Sequence, residues 1–70
     1  MRRYWTPYQR SEVASYLADP RLKIRGITTT PVRRNIHVTY DAADGVTYRD
    51  SIQRRRRTTT IAQWANREAV

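Results

Sequence analysis

Apolar and polar positions follow a helical period first, then an alternating one, then a helical one again. Val13, Tyr16 and Leu17 stand three and four residues apart, with Ala14 and Ala18 beside them, which makes one stripe of a helix. Thr6-Pro7-Tyr8-Gln9 supplies its start: a capping threonine, a proline at the first helical position, and a glutamine three residues after the cap. Asp19-Pro20 supplies its stop, because a residue before proline avoids the α region. The pattern predicts a helix over 7–18.

Strict alternation follows. In Arg21-Leu22-Lys23-Ile24-Arg25 the even positions are apolar and the odd ones cationic. Ile27 breaks the alternation, so a bulge is expected at Gly26. Ile36, Val38 and Tyr40 alternate with Asn35, His37 and Thr39 in a second strand. Val46, Tyr48 and Ile52 oppose Thr47, Arg49 and Ser51 in a third. Asp41-Ala42-Ala43-Asp44-Gly45 reads as the hairpin loop between them, with Gly45 suited to positive φ. That loop pairs Tyr40 with Val46 and Val38 with Tyr48, but sets Ile36 opposite Asp50. Strand three therefore ends near Arg49, or the register differs.

The last segment returns to helical spacing. Thr60-Ile61-Ala62-Gln63 reads as a second capping box, and Ile61, Trp64, Ala65 and Ala69 share a stripe. A single long helix running from Ser51 through the arginines is disfavoured by the β-branched run Thr58-Thr59-Thr60. The expected fold class is α+β: a small single domain over 1–70, in the order α-β-β-β-α. A three-stranded antiparallel sheet packs both helices on one face, and residues 1–5 form a frayed arm. Leu22, Ile24, Ile36, Val38, Tyr40, Val46 and Tyr48 would meet Val13, Leu17, Ile61 and Trp64.

Composition adds one strong fact. Fourteen Lys+Arg stand against six acids, for a net charge of +8 in 70 residues. Such a chain attracts polyanions, most often nucleic acid. The charge is blocked: residues 21–34 carry +5 and 51–57 carry +4, while 11–20 and 35–50 each carry −2. Folding can therefore gather the basic blocks on one side. The chain is short enough that a homodimer or a bound partner would help it fold. It has no cysteine, which fits a reducing compartment such as the cytoplasm, nucleoid- or virion-associated forms included. No apolar run approaches the roughly 20 residues of a membrane helix, so no membrane role is expected.

Candidate chemistry follows the cations. Arg21, Lys23, Arg25 and Arg49 belong to the polar sheet face, where donors can lie along phosphates. Arg33 and Arg34 occupy the connection between strands one and two. Arg54, Arg55, Arg56 and Arg57, with Thr58 and Thr59, precede the expected second helix. Its free N–H groups and positive dipole end would complete an anion site. Tyr16, Tyr40, Tyr48 and Trp64 fall on apolar stripes and read as core rather than as base-stacking platforms. No triad, metal-ligand spacing or glycine-rich phosphate loop is present, so neither catalysis nor a cofactor is expected.

The α-β-β-β-α order resembles that of double-stranded-RNA-binding domains, in which cations open the second helix. Arg54–Arg57 would stand half a turn early for that role. The connection TTTPVRRN lacks the family's Gly-Pro-x-His loop, so the resemblance implies topology and no residue role. The expectation is a small DNA- or RNA-binding protein, DNA ahead of RNA, acting through arginine–phosphate contacts with little base reading. The alternative is an accessory or inhibitor that docks its basic surface on an acidic protein partner.

Overall fold

The computed structural model describes residues 5–64, with side chains through Gln63. Helix α1 spans Pro7–Ala18. Thr6 Oγ1 accepts from the Gln9 amide at 3.2 Å, and Gln9 Oε1 accepts from the Thr6 amide at 2.9 Å, completing the capping box. Asp19, at ψ 112°, turns the chain into extended backbone ahead of Pro20.

Four strands follow: β1 (Lys23–Thr29), β2 (Ile36–Asp41), β3 (Thr47–Ile52) and β4 (Thr58–Trp64). They form one antiparallel sheet in the order β1-β2-β3-β4. This corrects the expected three-stranded sheet with two helices. Thr58–Trp64 is a strand, and Thr60, the expected second helix cap, lies within it. Two forces favour the strand. Three consecutive threonines fit a pleated surface better than a helical first turn. Thr60 also donates to the buried Asp50 carboxylate at 2.9 Å, a bond that pairing with β3 makes available. With no second helix at that position, the resemblance to double-stranded-RNA-binding domains falls as well. The stripe positions Ala65 and Ala69 lie outside the described residues, as does the Trp64 side chain.

The β2–β3 register also departs from the sequence reading. Tyr40 faces Tyr48, Val38 faces Asp50, and Ile36 faces Ile52. The loop is residues 42–46, one step later than expected, with Gly45 at φ 83°. The shift moves Asp50 from opposite Ile36 to opposite Val38, still on the apolar face, where hydroxyls satisfy it. In β1 the register slips between Ile24 and Gly26, leaving Arg25 as the extra residue. Ile24 and Ile27 thereby both face the core.

The core is small. Val13, Ile36, Val38 and Ile52 are buried, and Trp5, Tyr8, Tyr16, Ile24, Ile27 and Tyr40 pack around them. Each buried aliphatic side chain contributes roughly 1.5–3 kcal/mol. Leu17 and Ile61, expected inside, are 61% and 51% exposed. Ile61 escapes because the β3–β4 register skips it, Arg49 facing Ala62 and Asp50 facing Thr60. No helix among the described residues is long and apolar enough to cross a membrane.

Strand order fixes the geography. The β1–β2 and β3–β4 loops lie at one end of the sheet, with the N-terminus of α1. The β2–β3 loop and the C-terminus of α1 lie at the other. Among the described residues, helix α1 covers one sheet face and no element covers the other.

Candidate functional site

Both arginine-bearing loops occupy the end where α1 begins. In the β1–β2 loop, Thr30 N–H donates to the Asn35 carbonyl at 2.9 Å and Arg34 N–H to the Thr30 carbonyl at 3.2 Å. Thr30 Oγ1 accepts from the Asn35 amide at 3.0 Å. These bonds hold Arg34 at φ 58°, a left-handed conformation uncommon for a long side chain. In the β3–β4 loop, Gln53 N–H donates to the Arg57 carbonyl at 2.9 Å, closing Arg54–Arg57 into the hairpin tip.

One side chain ties the two loops together. Gln9 is fully buried, and its Nε2 donates to the Arg34 carbonyl at 2.9 Å and to the Ile52 carbonyl at 3.2 Å. Thr6 Oγ1 donates to the Arg54 carbonyl at 2.8 Å. Tyr8 and Thr58 share a hydroxyl hydrogen bond of 2.5 Å, and Thr58 Oγ1 also donates to Glu12 at 3.3 Å. The Arg56 guanidinium lies 5.9 Å from the Tyr8 ring centroid, at the outer limit of a cation–π contact. Between the loops is an open hollow of about 290 Å³, lined by Arg33, Asn35, Gln53, Arg54 and Arg55.

The structure thus brings together Arg33, Arg34, Arg54, Arg55, Arg56 and Arg57. All except the half-buried Arg34 are exposed. Among the described residues, no carboxylate lies within 4.0 Å of the guanidiniums of Arg33, Arg55, Arg56 or Arg57. The expected anion site at a second helix does not exist; the helix terminus beside these arginines belongs to α1.

Arg21, Lys23 and Arg25 lie at the opposite end, among Asp19, Asp41 and Asp44. Arg21 bridges Asp19 at 2.8 Å and Arg25 bridges Asp41 at 2.8 Å. Two of these three cations are bridged to carboxylates, Lys23 stands across from Asp41, and Asp44 occupies the adjoining β2–β3 loop, so the formal charges of that end balance. Arg49 is on the open face, its Nε donating to Thr39 Oγ1 at 3.1 Å. Thr58 is turned toward α1, and Thr59 alternates to the open face beside Ser51. Arg2 and Arg3 lie outside the described residues.

The balanced end sets the acid response. Hydrogen bonds from Arg21 hold the Asp19 carboxyl down at about 2. Bonds first from Thr47 and then from Arg25 lower Asp41, and bonds from Tyr48 and the Val46 amide lower Asp44. A lowered folded-state value means stability that is present above the unfolded pKa and lost as pH falls through the folded one. Thermal melts should therefore be flat from neutral pH to about 4 and decline steadily from there toward 2. Asp44 is exposed and Asp19 and Asp41 are half-buried at the surface, so the decline should be shallow and reduced further by salt.

Sequence reasoning missed Gln9 and Gln53 as parts of this end. Gln9 was visible only as half of a capping box. Gln53 was visible only as the residue before four arginines. Asp50 was missed as a buried hub because it reads as a polar interruption of an apolar face. No protein-family model, curated protein or solved structure matches the chain.

Proposed function

We propose that the protein binds nucleic acid, duplex DNA ahead of RNA, by setting the arginine-bearing end of its sheet against the phosphate backbone. The observation that carries this reading is the convergence of six arginines from two hairpin loops at one end. At the opposite end Arg21 and Arg25 are bridged to Asp19 and Asp41. The N-terminal end of α1 adds its partial positive charge to the same side. Affinity then comes mainly from counterion release. A nucleic-acid partner would make the cytoplasm, or a nucleoid or virion within it, the working compartment.

A second feature supports duplex over single strand. Single strands are held largely by stacking on aromatic side chains. Tyr8, Tyr16 and Tyr40 pack against the core, and Tyr48 stacks on Tyr40. Among the described side chains, the open face offers Thr28, His37, Thr39, Thr47, Arg49 and Thr59 instead. Such a face supplies hydrogen bonds to phosphate and sugar and little stacking.

The test is a binding isotherm on arbitrary duplex DNA at a series of salt concentrations. Engagement of about five phosphates gives a slope of log K against log salt near −4.5. A slope flatter than about −1, or no binding at low salt, would overturn the reading and direct attention to an acidic protein partner.

A further inference from the structure

We propose that the hollow between the β1–β2 and β3–β4 loops is a binding site for a single phosphate group. The guanidiniums of Arg33 and Arg55 and the side-chain amides of Asn35 and Gln53 hold it. The inference rests on the reading above for the identity of its natural occupant, a phosphate of a nucleic acid.

The two loops mirror one another about the β2–β3 axis. Ile36 and Ile52 form the last pair of the ladder. One step beyond that pair come Asn35 and Gln53, then Arg34 and Arg54, then Arg33 and Arg55. The odd-numbered members, Arg33, Asn35, Gln53 and Arg55, all line the hollow, as strand alternation carried past the last pair would place them. Two short segments far apart in sequence thus present the same order, amide then guanidinium, to one space.

The chemistry of that space selects an oxyanion. Among the described residues, its lining holds three arginines, two side-chain amides and no carboxylate. A metal ion finds no anionic ligand there, whereas planar guanidiniums match phosphate oxygens with paired N–H groups. Like charges held this close repel, and a bound phosphate relieves that cost. The framework behind the charges is fixed before any ligand arrives. Gln9 holds the Arg34 carbonyl of one loop and the carbonyl of Ile52, the β3 residue that leads into the other, Thr6 holds Arg54, and Thr30 holds Asn35. The left-handed Arg34 belongs to the same framework, and local strain of this kind clusters at ligand-binding positions.

The occupant is either an internal phosphodiester of a strand or a terminal or free phosphate, and titration of the full chain separates these sources. Amide and guanidinium NMR signals are followed while adding inorganic phosphate, a blunt duplex lacking terminal phosphates, and the same duplex carrying them. Signals of Arg33, Asn35, Gln53 and Arg55 should move with all three. Equal affinity for the two duplexes identifies an internal phosphodiester, and tighter binding of the phosphorylated one identifies a strand end. If these signals stay still while those of other residues move, the site is excluded.

A charge-matched pair of variants supplies the second arm. Arg33→Ala with Arg55→Ala removes the same charge as Arg21→Ala with Lys23→Ala. All four positions are exposed, so the fold should persist and circular dichroism can verify it. The first pair should weaken duplex binding by roughly tenfold more than the second and flatten the salt slope by about 1 to 2. Equal losses from both pairs, with tight DNA binding retained by the parent, would remove the site and leave the nucleic-acid reading standing. Duplex that does not bind, while inorganic phosphate still moves these signals, would remove that reading and leave the site.

Discussion

Gln9→Ala should lower the unfolding free energy by about 3 kcal/mol, a large share of the roughly 4–10 kcal/mol expected of a domain this size. The side chain is fully buried and makes three hydrogen bonds. Its Oε1 closes the helix cap on the Thr6 amide, worth about 1 kcal/mol. Its Nε2 serves the carbonyls of Arg34 and Ile52, and a buried acceptor stripped of its donor costs about 1–3 kcal/mol. Urea denaturation monitored by circular dichroism measures the sum. Gln9→Glu separates the two halves, because it keeps shape and the cap acceptor but turns a carboxylate toward two carbonyl oxygens. Burial against those oxygens raises the folded-state pKa of the new carboxyl. Its stability is then present below about 4.3 and lost as pH rises. The variant should therefore be at least as unstable as the alanine one at neutral pH and partly recover in acid. Parent-like stability in Gln9→Ala would mean that the two arginine loops are held by something other than this amide.

The same residue shows how far the sequence could be read. Thr6-Pro7-Tyr8-Gln9 announces a helix start through local rules alone, and α1 begins there. The second task of Gln9, bridging two loops, depends on residues 25 and 43 positions away and leaves no local trace. The missing second helix has the same origin. Thr60 and Gln63 satisfy the spacing of a capping box as well as Thr6 and Gln9 do. Only the presence of β3, with Asp50 waiting for a donor, decides for a strand. The hairpin at Arg54–Arg57 was hidden too, since its five-residue loop contains no glycine, proline, asparagine or aspartate to mark a turn.

Strand count then governs the candidate site. The arginines at 33–34 and 54–57 were legible as cationic blocks, but their meeting was not. It follows from a fourth strand, which makes the arginine run a hairpin tip and so places it at the same end as the first loop. Arg21, Lys23 and Arg25 were legible by the same criterion and went to the other end. Their neutralisation by Asp19 and Asp41 is partly a consequence of the β2 register, which sets Asp41 across from Lys23. Local pattern reports the charge of a segment, and topology decides which segments share a surface.

Asp50→Ala should cost about as much as the loss of Gln9, near 3 kcal/mol, by leaving three hydroxyls without an acceptor. Asp50 is 6% exposed and opposite Val38 on the apolar face. Its carboxylate accepts from Tyr16, from Tyr40 at 3.0 Å and from Thr60 at 2.9 Å. These bonds join α1, β2 and β4 to β3, so one residue links four elements around a core of four aliphatic side chains. Asp50→Asn keeps one acceptor oxygen, and hydroxyls can rotate to accept from its amide, so its loss should be nearer 1 kcal/mol. A base titration adds an independent readout. Burial first, then the hydrogen bond to Asp50 and its charge, raise the Tyr16 and Tyr40 phenols above their ordinary value of 10.0. A raised folded-state value gives stability that is intact below the unfolded pKa and lost as pH climbs past it. Thermal stability of the parent should thus fall above about pH 10. In Asp50→Asn the charge contribution is gone and burial remains, so the fall should be shallower and tyrosinate absorbance should appear at lower pH. An unchanged tyrosinate titration in that variant would mean that Asp50 does not govern these phenols. The packing of β4 on β3 would then need another explanation.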